Sequence, residues 1–419
     1  MPGGLLRQRD FRRLWTADLL SQFGDRLNVL ALPLLAAGSL GASAFGVSLL
    51  RTLQTLAYLA IGLQVGAWCD RMRLRPLLIG TDLGRFALYA TVPVAAAFGV
   101  LTMGQLYLVV AVAGVLAVFF EVGHQTYLPR LVPRDRLLEG NARLQTNLSV
   151  AAVTAPSAGG FLVQYFGGQA AVGGNALSFL WSALWLGRIR KPEPVPPRTE
   201  RVPLRRQIRE GLDFVRKHPL LRPIAAALTL ASLFQSVQIA IGVVFLLREV
   251  RLSPGIIGLL STTGLLGALV GAVTGRRIGQ RFGEARLLWV MGVLIALGYT
   301  AMALASPGWL VACYPVGNFV TAFAITVSNI VQVSFQQGAT PERLRGRVTA
   351  TMRFVTFGVA PVGSLLGGLV ADVAGLRASM WLATAGMALS AARLIGSPLR
   401  RLRVLPEAYA EEGTGSPPA

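Results

Sequence analysis

Apolar runs of about twenty residues alternate with short polar loops along almost the whole chain. That is the length a helix needs to cross about 30 Å of hydrocarbon. A helix satisfies its own backbone hydrogen bonds in lipid, so the pattern predicts membrane-spanning helices. Twelve are expected, at 14–38, 45–68, 76–99, 105–128, 143–165, 170–187, 223–247, 255–275, 287–305, 309–335, 348–374 and 378–397. The predicted class is an all-α integral membrane protein. The first run begins near Leu14. It is too long for a cleavable leader, and no small-residue cleavage site follows it, so it reads as a retained first helix.

Composition agrees with the pattern. Of the residues, 53% are hydrophobic and 14% charged, against about 25% charged in a soluble domain. The net charge of +21 raises nucleic acid as a partner, and its distribution argues against one. The N-terminus, the even-numbered loops and the tail together hold 31 Lys and Arg, whereas the other six loops hold Arg248, Arg251 and Arg377 alone. The positive-inside rule then puts both termini in the cytoplasm and requires an even number of spans. Cys69 and Cys313 fall on opposite halves of the membrane and have no metal-ligand spacing, so they read as packing residues. The chain contains no phosphate-binding loop, no H-E-x-x-H and no G-x-S-x-G, and with two histidines it does not read as an enzyme. No cofactor or metal is expected.

The chain repeats itself at half its length. G-A-W-C-D-R from Gly66 returns as G-A-V-T-G-R from Gly271, and Ala155-Pro156 returns as Ala360-Pro361, both 205 residues on. Pro133 returns as Pro341. Two pseudo-symmetric six-helix bundles follow, residues 1–187 and 223–405. Residues 188–222 link them through the stiff stretch K-P-E-P-V-P-P. Within the linker, Leu204, Ile208, Leu212 and Val215 share one helical face and Arg205, Arg206, Arg209 and Arg216 the rest. That is either a surface helix on the anionic inner leaflet or a solvated linker helix. The tail 406–419 is acidic and rich in Gly and Pro, and is expected to be disordered.

Gly66, Asp70, Arg71 and Arg75 match the loop signature G-x-x-x-D-R-x-G-R-R. With this loop the chain resembles the major facilitator superfamily. Arg73 stands at the second glycine of that signature, and Leu74 at a basic position. Pro156, Gly159, Gly160 and Leu162 resemble that superfamily's fifth-helix antiporter signature, with Ala155 for a glycine. L-S-Q-F-G-D-R-L-N-V-L near the start, F-F-E-V-G-H-Q-T-Y-L-P-R-L-V-P at 119–133 and R-G-R-V-T-A-T-M-R-F at 345–354 resemble the subfamily of macrolide efflux pumps and enterobactin exporters. The resemblance implies the major facilitator fold, a monomer in a bacterial inner membrane, and a substrate site at the midplane between halves that rock. It also implies a gate in which the loop arginines Arg71, Arg73 and Arg75 pair with Glu121 while Asp70 caps the eleventh helix.

Charged residues inside the spans need a reason, since a carboxylate at the bilayer centre costs about 2.5–3.5 kcal/mol on insertion scales. Asp25 lies about 18 Å along the first helix, near the midplane. It reads either as a proton-coupling carboxyl, with Arg51 as the nearby cation, or as half of a static pair with Arg51 or Arg26. Asp82 and Arg85, spaced to share a helix face, read with Asp18 as a structural cluster. His124 reads as a hydrogen-bonding residue at a helix end, with a proton relay as the alternative. Gln22, Asn28, Gln235, Gln238, Asn329 and Gln332 are candidates to line a substrate cavity. Pro156, Gly159 and Gly160 predict a bent, tightly packed fifth helix. The function expected is exchange of inward protons for an exported amphipathic molecule such as a macrolide, another drug or a siderophore. A facilitator, importer or lipid flippase of the same fold, and a membrane receptor that transports nothing, are the alternatives.

Overall fold

The computed structural model describes residues 4–69, 71–193, 212–219, 221–340 and 342–397. Among them the long elements are all helices: α1 (Arg9–Leu34), α2 (Ala44–Cys69), α3 (Leu74–Ala97), α4 (Met103–Leu131), α5 (Leu137–Gly187), α6 (Leu221–Val244), α7 (Pro254–Phe282), α8 (Glu284–Leu304), α9 (Cys313–Ala339), α10 (Glu342–Gly358), α11 (Ala360–Ala374) and α12 (Leu376–Ile395). These twelve are not one-to-one with the twelve spans. α5 supplies two passes, broken at Gly167 by φ 83°, a left-handed conformation that glycine adopts without steric cost. α10 and α11 supply one, interrupted at Val359. The fold is the expected all-α membrane architecture.

Eight stretches of the described chain are long and apolar enough to cross a membrane on composition alone, and α1, α3 and α5 are not among them. The shortfall of α1 and α3 has a chemical cause. They carry Asp18, Asp25, Arg26, Asp82 and Arg85, the charges that define the site below.

The chain forms two compact units. The first comprises Met1–Thr199, Ile239–Thr262 and Ser364–Leu376, and the second Glu200–Gln238, Thr263–Gly363 and Arg377–Ala419. The first unit has two apolar cores. One, toward the N-terminal end of α1, gathers Phe11, Leu14, Leu74, Leu78, Leu128 and Leu186. The other, toward its C-terminal end, gathers Leu27, Leu32, Val92, Val109, Val172 and Phe179. On α1 the charged residues fall between Leu14 and Leu27, and on α3 between Leu78 and Val92. The second unit packs Leu221, Ile224, Leu287, Met291, Val327 and Val331. Val215 joins this protein core at 5% exposure. Leu204 and Ile208 of the expected amphipathic helix, like the tail 406–419, lie outside the described residues.

Within the first unit, segments from both sequence halves meet in a seam at the C-terminal end of α1. A Cβ on Gly160 of α5 would strike the Pro254 carbonyl and lie 3.1 Å from the Gly258 Cα of α7. One on Gly368 of α11 would strike Ser48 and Phe45 of α2. Side chains cap the two helix starts. Gln164 Oε1 accepts from the Gly255 N–H at 3.0 Å, and Asp372 Oδ1 accepts from the Ala44 N–H at 2.9 Å. Arg248 donates to the carbonyls of Ala37 and Ala42 at 2.9 and 2.7 Å. The repeat is also written in the backbone. α1 ends in a π-helical turn, Leu35–Ser39, and α6 in another, Phe245–Glu249. Gly41 and Arg251, the same distance beyond each, share φ 62°, and Gly375 repeats the left-handed break of Gly167 with φ 94°.

Candidate functional site

Asp18, Gln22 and Asp25 follow one another at i, i+4 and i+7 and so share one face of α1. At one end of this stripe, Asp25 Oδ2 lies 3.4 Å from Arg85 Nη1 of α3. Its side chain is 45% exposed, whereas Arg85 is 2% exposed. Arg85 also binds Asp82, which is fully buried, one turn earlier on its own helix. The guanidinium lies over the rings of Phe120 and Phe179, 4.4 and 4.1 Å from their centroids. A flat, weakly hydrated guanidinium suits such a slot, where two carboxylates and two aromatic faces all favour the cation. Two carboxylates thus share one cation. Asp82 is walled in with Arg85, so Asp25 is the acid whose charge is in excess and whose side chain is reachable. The partner expected from sequence was Arg51 or Arg26. The ion pair is with Arg85, while Arg51, on α2, donates to Gln54 at 3.5 Å.

At the other end of the stripe Asp18 is 2% exposed. It accepts from Gln22 at 3.3 Å and from Asn147 of α5 at 2.9 Å, and Asn147 also donates to the Trp15 carbonyl at 3.0 Å. His124 Nε2 of α4 lies 3.6 Å from Asp18 Oδ1 and makes no hydrogen bond. Beside Asp25, Gly24 lets α1 approach α5, since a Cβ would strike Asn175 and Ser178.

The residues expected to form a gate are placed as follows. Asp70 lies outside the described residues, and Arg71, Arg73 and Glu121 are exposed. Arg75 donates to the Leu186 carbonyl at 3.1 Å and to that of Gly187. The acid that organises this end is one the sequence reading passed over. Glu193 accepts from the Leu74 and Arg75 N–H groups at 2.8 and 3.1 Å and from Arg130 at 2.7 Å. It caps the start of α3, where a carboxylate meets unpaired N–H groups and the positive end of the helix dipole. Its signal was a lone acid in a proline-rich, basic stretch directly after a span.

Of the cavity candidates, Gln22 and the buried Asn28 belong to the first unit, Gln22 to the stripe itself. The other four belong to the second unit. Gln238 donates to the Tyr314 hydroxyl at 3.3 Å, Gln332 lines a cavity of about 60 Å³ with Ser328 and Ser390, Asn329 is exposed, and Gln235 is partly exposed. Pro156, Gly159 and Gly160 sit in the first arm of α5. Gly159 faces Leu27 of α1, and Gly160 and the Pro156 carbonyl face Gly258 of α7.

Residues 3–411 match the family described as transmembrane secretion effector. The chain belongs to this family of the major facilitator superfamily. It is a multi-pass membrane transporter of the efflux type and not an enzyme. The multidrug efflux pump Tap of Mycolicibacterium fortuitum is 31% identical over 376 residues, covering 87% of this chain and 89% of that protein. Tap of Mycobacterium tuberculosis is 26% identical, covering 96% of each. The enterobactin exporter EntS of Escherichia coli is 30% identical over 251 residues, 58% of this chain and 56% of its own. The crystal structure of the nucleoside transporter NupG superposes with a TM-score of 0.77 at 11% identity, covering 94% of this transporter and 99% of NupG. That likeness speaks for the fold alone.

Proposed function

We propose that this transporter is a proton-coupled exporter of a small amphipathic molecule, such as a macrolide, another drug or a siderophore, acting as a monomer in a bacterial cytoplasmic membrane. The observation that carries the proposal is the reachable, supernumerary carboxylate of Asp25 on a buried Arg85. Ionised, Asp25 competes with Asp82 for the guanidinium. Protonated, it lets go, and Arg85 and Asp82 remain as a neutral pair. Protonation therefore changes the charge of the α1 face without leaving a buried cation alone. Arg51 completes the coupling pair assigned from sequence by adding positive potential on α2. The relatives named as a multidrug pump and an enterobactin exporter support export and an amphipathic cargo.

In this reading both termini lie in the cytoplasm, and halves 1–187 and 223–405 are joined by the linker 188–222. Asp70, Arg71, Arg73, Arg75 and Glu121 hold the cytoplasmic side shut in one state. The Pro156, Gly159 and Gly160 seam limits proton leak. Gln22, Asn28, Gln235, Gln238, Asn329 and Gln332 supply polar contacts to cargo. The test is uptake of labelled macrolides and siderophores into proteoliposomes under an imposed pH gradient. Gradient-driven transport that is lost in Asp25→Asn is expected. Transport that ignores the gradient and survives Asp25→Asn would make the protein a facilitator.

A further inference from the structure

The exchange at Asp25 leaves one buried pair of titratable side chains unused. Asp18 has two amide donors, Gln22 and Asn147, and neither carries charge. Its one ion-pair contact among the described residues is His124 Nε2 at 3.6 Å. That nitrogen is itself buried and makes no hydrogen bond. An ionised Asp18 without a cation and a buried Nε2 without a partner are both costly. One proton answers both needs, held by the pair as carboxylate and imidazolium.

The charged neighbours leave that proton to the pair. From α1 comes Asp25, two turns along the same face. From α3 come Asp82 and Arg85, which are bound to each other. From α4 comes Glu121, and from α5 Arg143, both exposed. The Phe120 ring stacks on His124 at 5.7 Å and receives the Arg85 guanidinium at 4.4 Å, so the pair abuts the Asp25 cluster.

We propose that Asp18 and His124 form a second proton-binding site, joined to Asp25 along the Asp18–Gln22–Asp25 face of α1. The proposal rests on the proton-exchange reading and adds its exit. The pair gives its proton to the side where α1 begins and is left as carboxylate and neutral imidazole. The proton released by the Asp25 carboxyl then refills it. Each cycle moves one proton from Asp25 through the pair toward the side where α1 begins, and no other bond changes.

The chain has two histidines, so His218→Gln leaves His124 as the sole imidazole for nitrogen NMR in detergent. At about pH 6, within the range where histidine changes charge, the ring is expected to carry protons on both nitrogens. Asp18→Asn is expected to abolish that signal. In proteoliposomes, His124→Gln is expected to lose gradient-driven transport and its pH dependence while keeping substrate binding. A His124 ring that is neutral at that pH, or unchanged by Asp18→Asn, overturns the proposal. So does His124→Gln transporting with the parent's rate and pH profile. Failure of the exchange reading shows differently. Asp25→Asn then retains gradient-driven transport, whatever the His124 signal.

Discussion

Arg85 shows how much depends on one side chain inside the bundle. It is the cation for two carboxylates, one of them fully buried. Removing it leaves Asp82 charged and unpaired, a loss of about 3–5 kcal/mol for a buried pair. Arg85→Ala is therefore expected to unfold far earlier than the parent in detergent denaturation, and adding Asp82→Asn is expected to restore much of the loss. Equal instability of the single and double variants would contradict the pairing. A milder case is His218, ahead of α6. Its Nδ1 accepts the Leu221 N–H at 3.1 Å, and burial pushes its pKa below the usual 6.5. The folded state thus favours the neutral ring. This cap contributes fully above about pH 6.5 and is lost as pH falls through the lower folded value. His218→Ala is expected to cost about 1 kcal/mol at pH 7.5 and to flatten the fall in unfolding temperature on acidification. At this scale the sequence singled out the charged residues inside the spans but not whom they touch. Asp25, Asp82 and Arg85 stand out because charge is rare in apolar runs. Periodicity gives a residue's face on its own helix and says nothing about which helix lies opposite, so it points to Arg51 as readily as to Arg85.

The helices themselves were legible, because the length of an apolar run is fixed by the bilayer. Even the break in α5 falls in the gap expected between 165 and 170, at Gly167. What sequence could not supply was the contact between elements at the seam. The signature glycines announce close packing, yet nothing in their spacing says that Gly160 meets Gly258 or that Gly368 meets Ser48. Both contacts leave no room for a side chain. Gly160→Val is therefore expected to force the seam apart at both places, since α5 and α11 close on the same unit. With Cys69 and Cys313 replaced by Ser, a cysteine at the buried position Ser48 reports on the opening. Its reaction with an impermeant maleimide is expected to rise when Gly160→Val is added. An unchanged rate would mean that the two contacts open independently. The caps are weaker clasps. Asp372→Ala and Gln164→Ala each remove one acceptor from a helix start, worth about 0.5–2 kcal/mol, and are expected to lower the unfolding temperature without abolishing folding.

At the scale of the molecule, topology follows from two independent lines. The first is charge, with 31 basic residues in alternate segments against three in the others. The second is contact. Arg248, in the π-helical turn that ends α6, donates to the carbonyls of Ala37, in the turn that ends α1, and of Ala42. These two turns therefore lie at one level of one face, and α1 and α6 run the same way. Asp372 of α11 reaches the first N–H of α2 at that same level. An odd number of spans in each half would put the repeat's two copies antiparallel and these contacts out of reach. Cysteines at Ser39, Gly99, Arg251 and Gly308 are accordingly expected to react with an impermeant reagent in intact cells. Cysteines at Arg9, Arg136 and Arg281 are expected to react only after the membrane is opened. One reversed position would point to a local re-entry. Reversal of Arg281 together with Gly308 would break the parallel repeat, because the two flank α8 of the second half and have no other way to exchange sides.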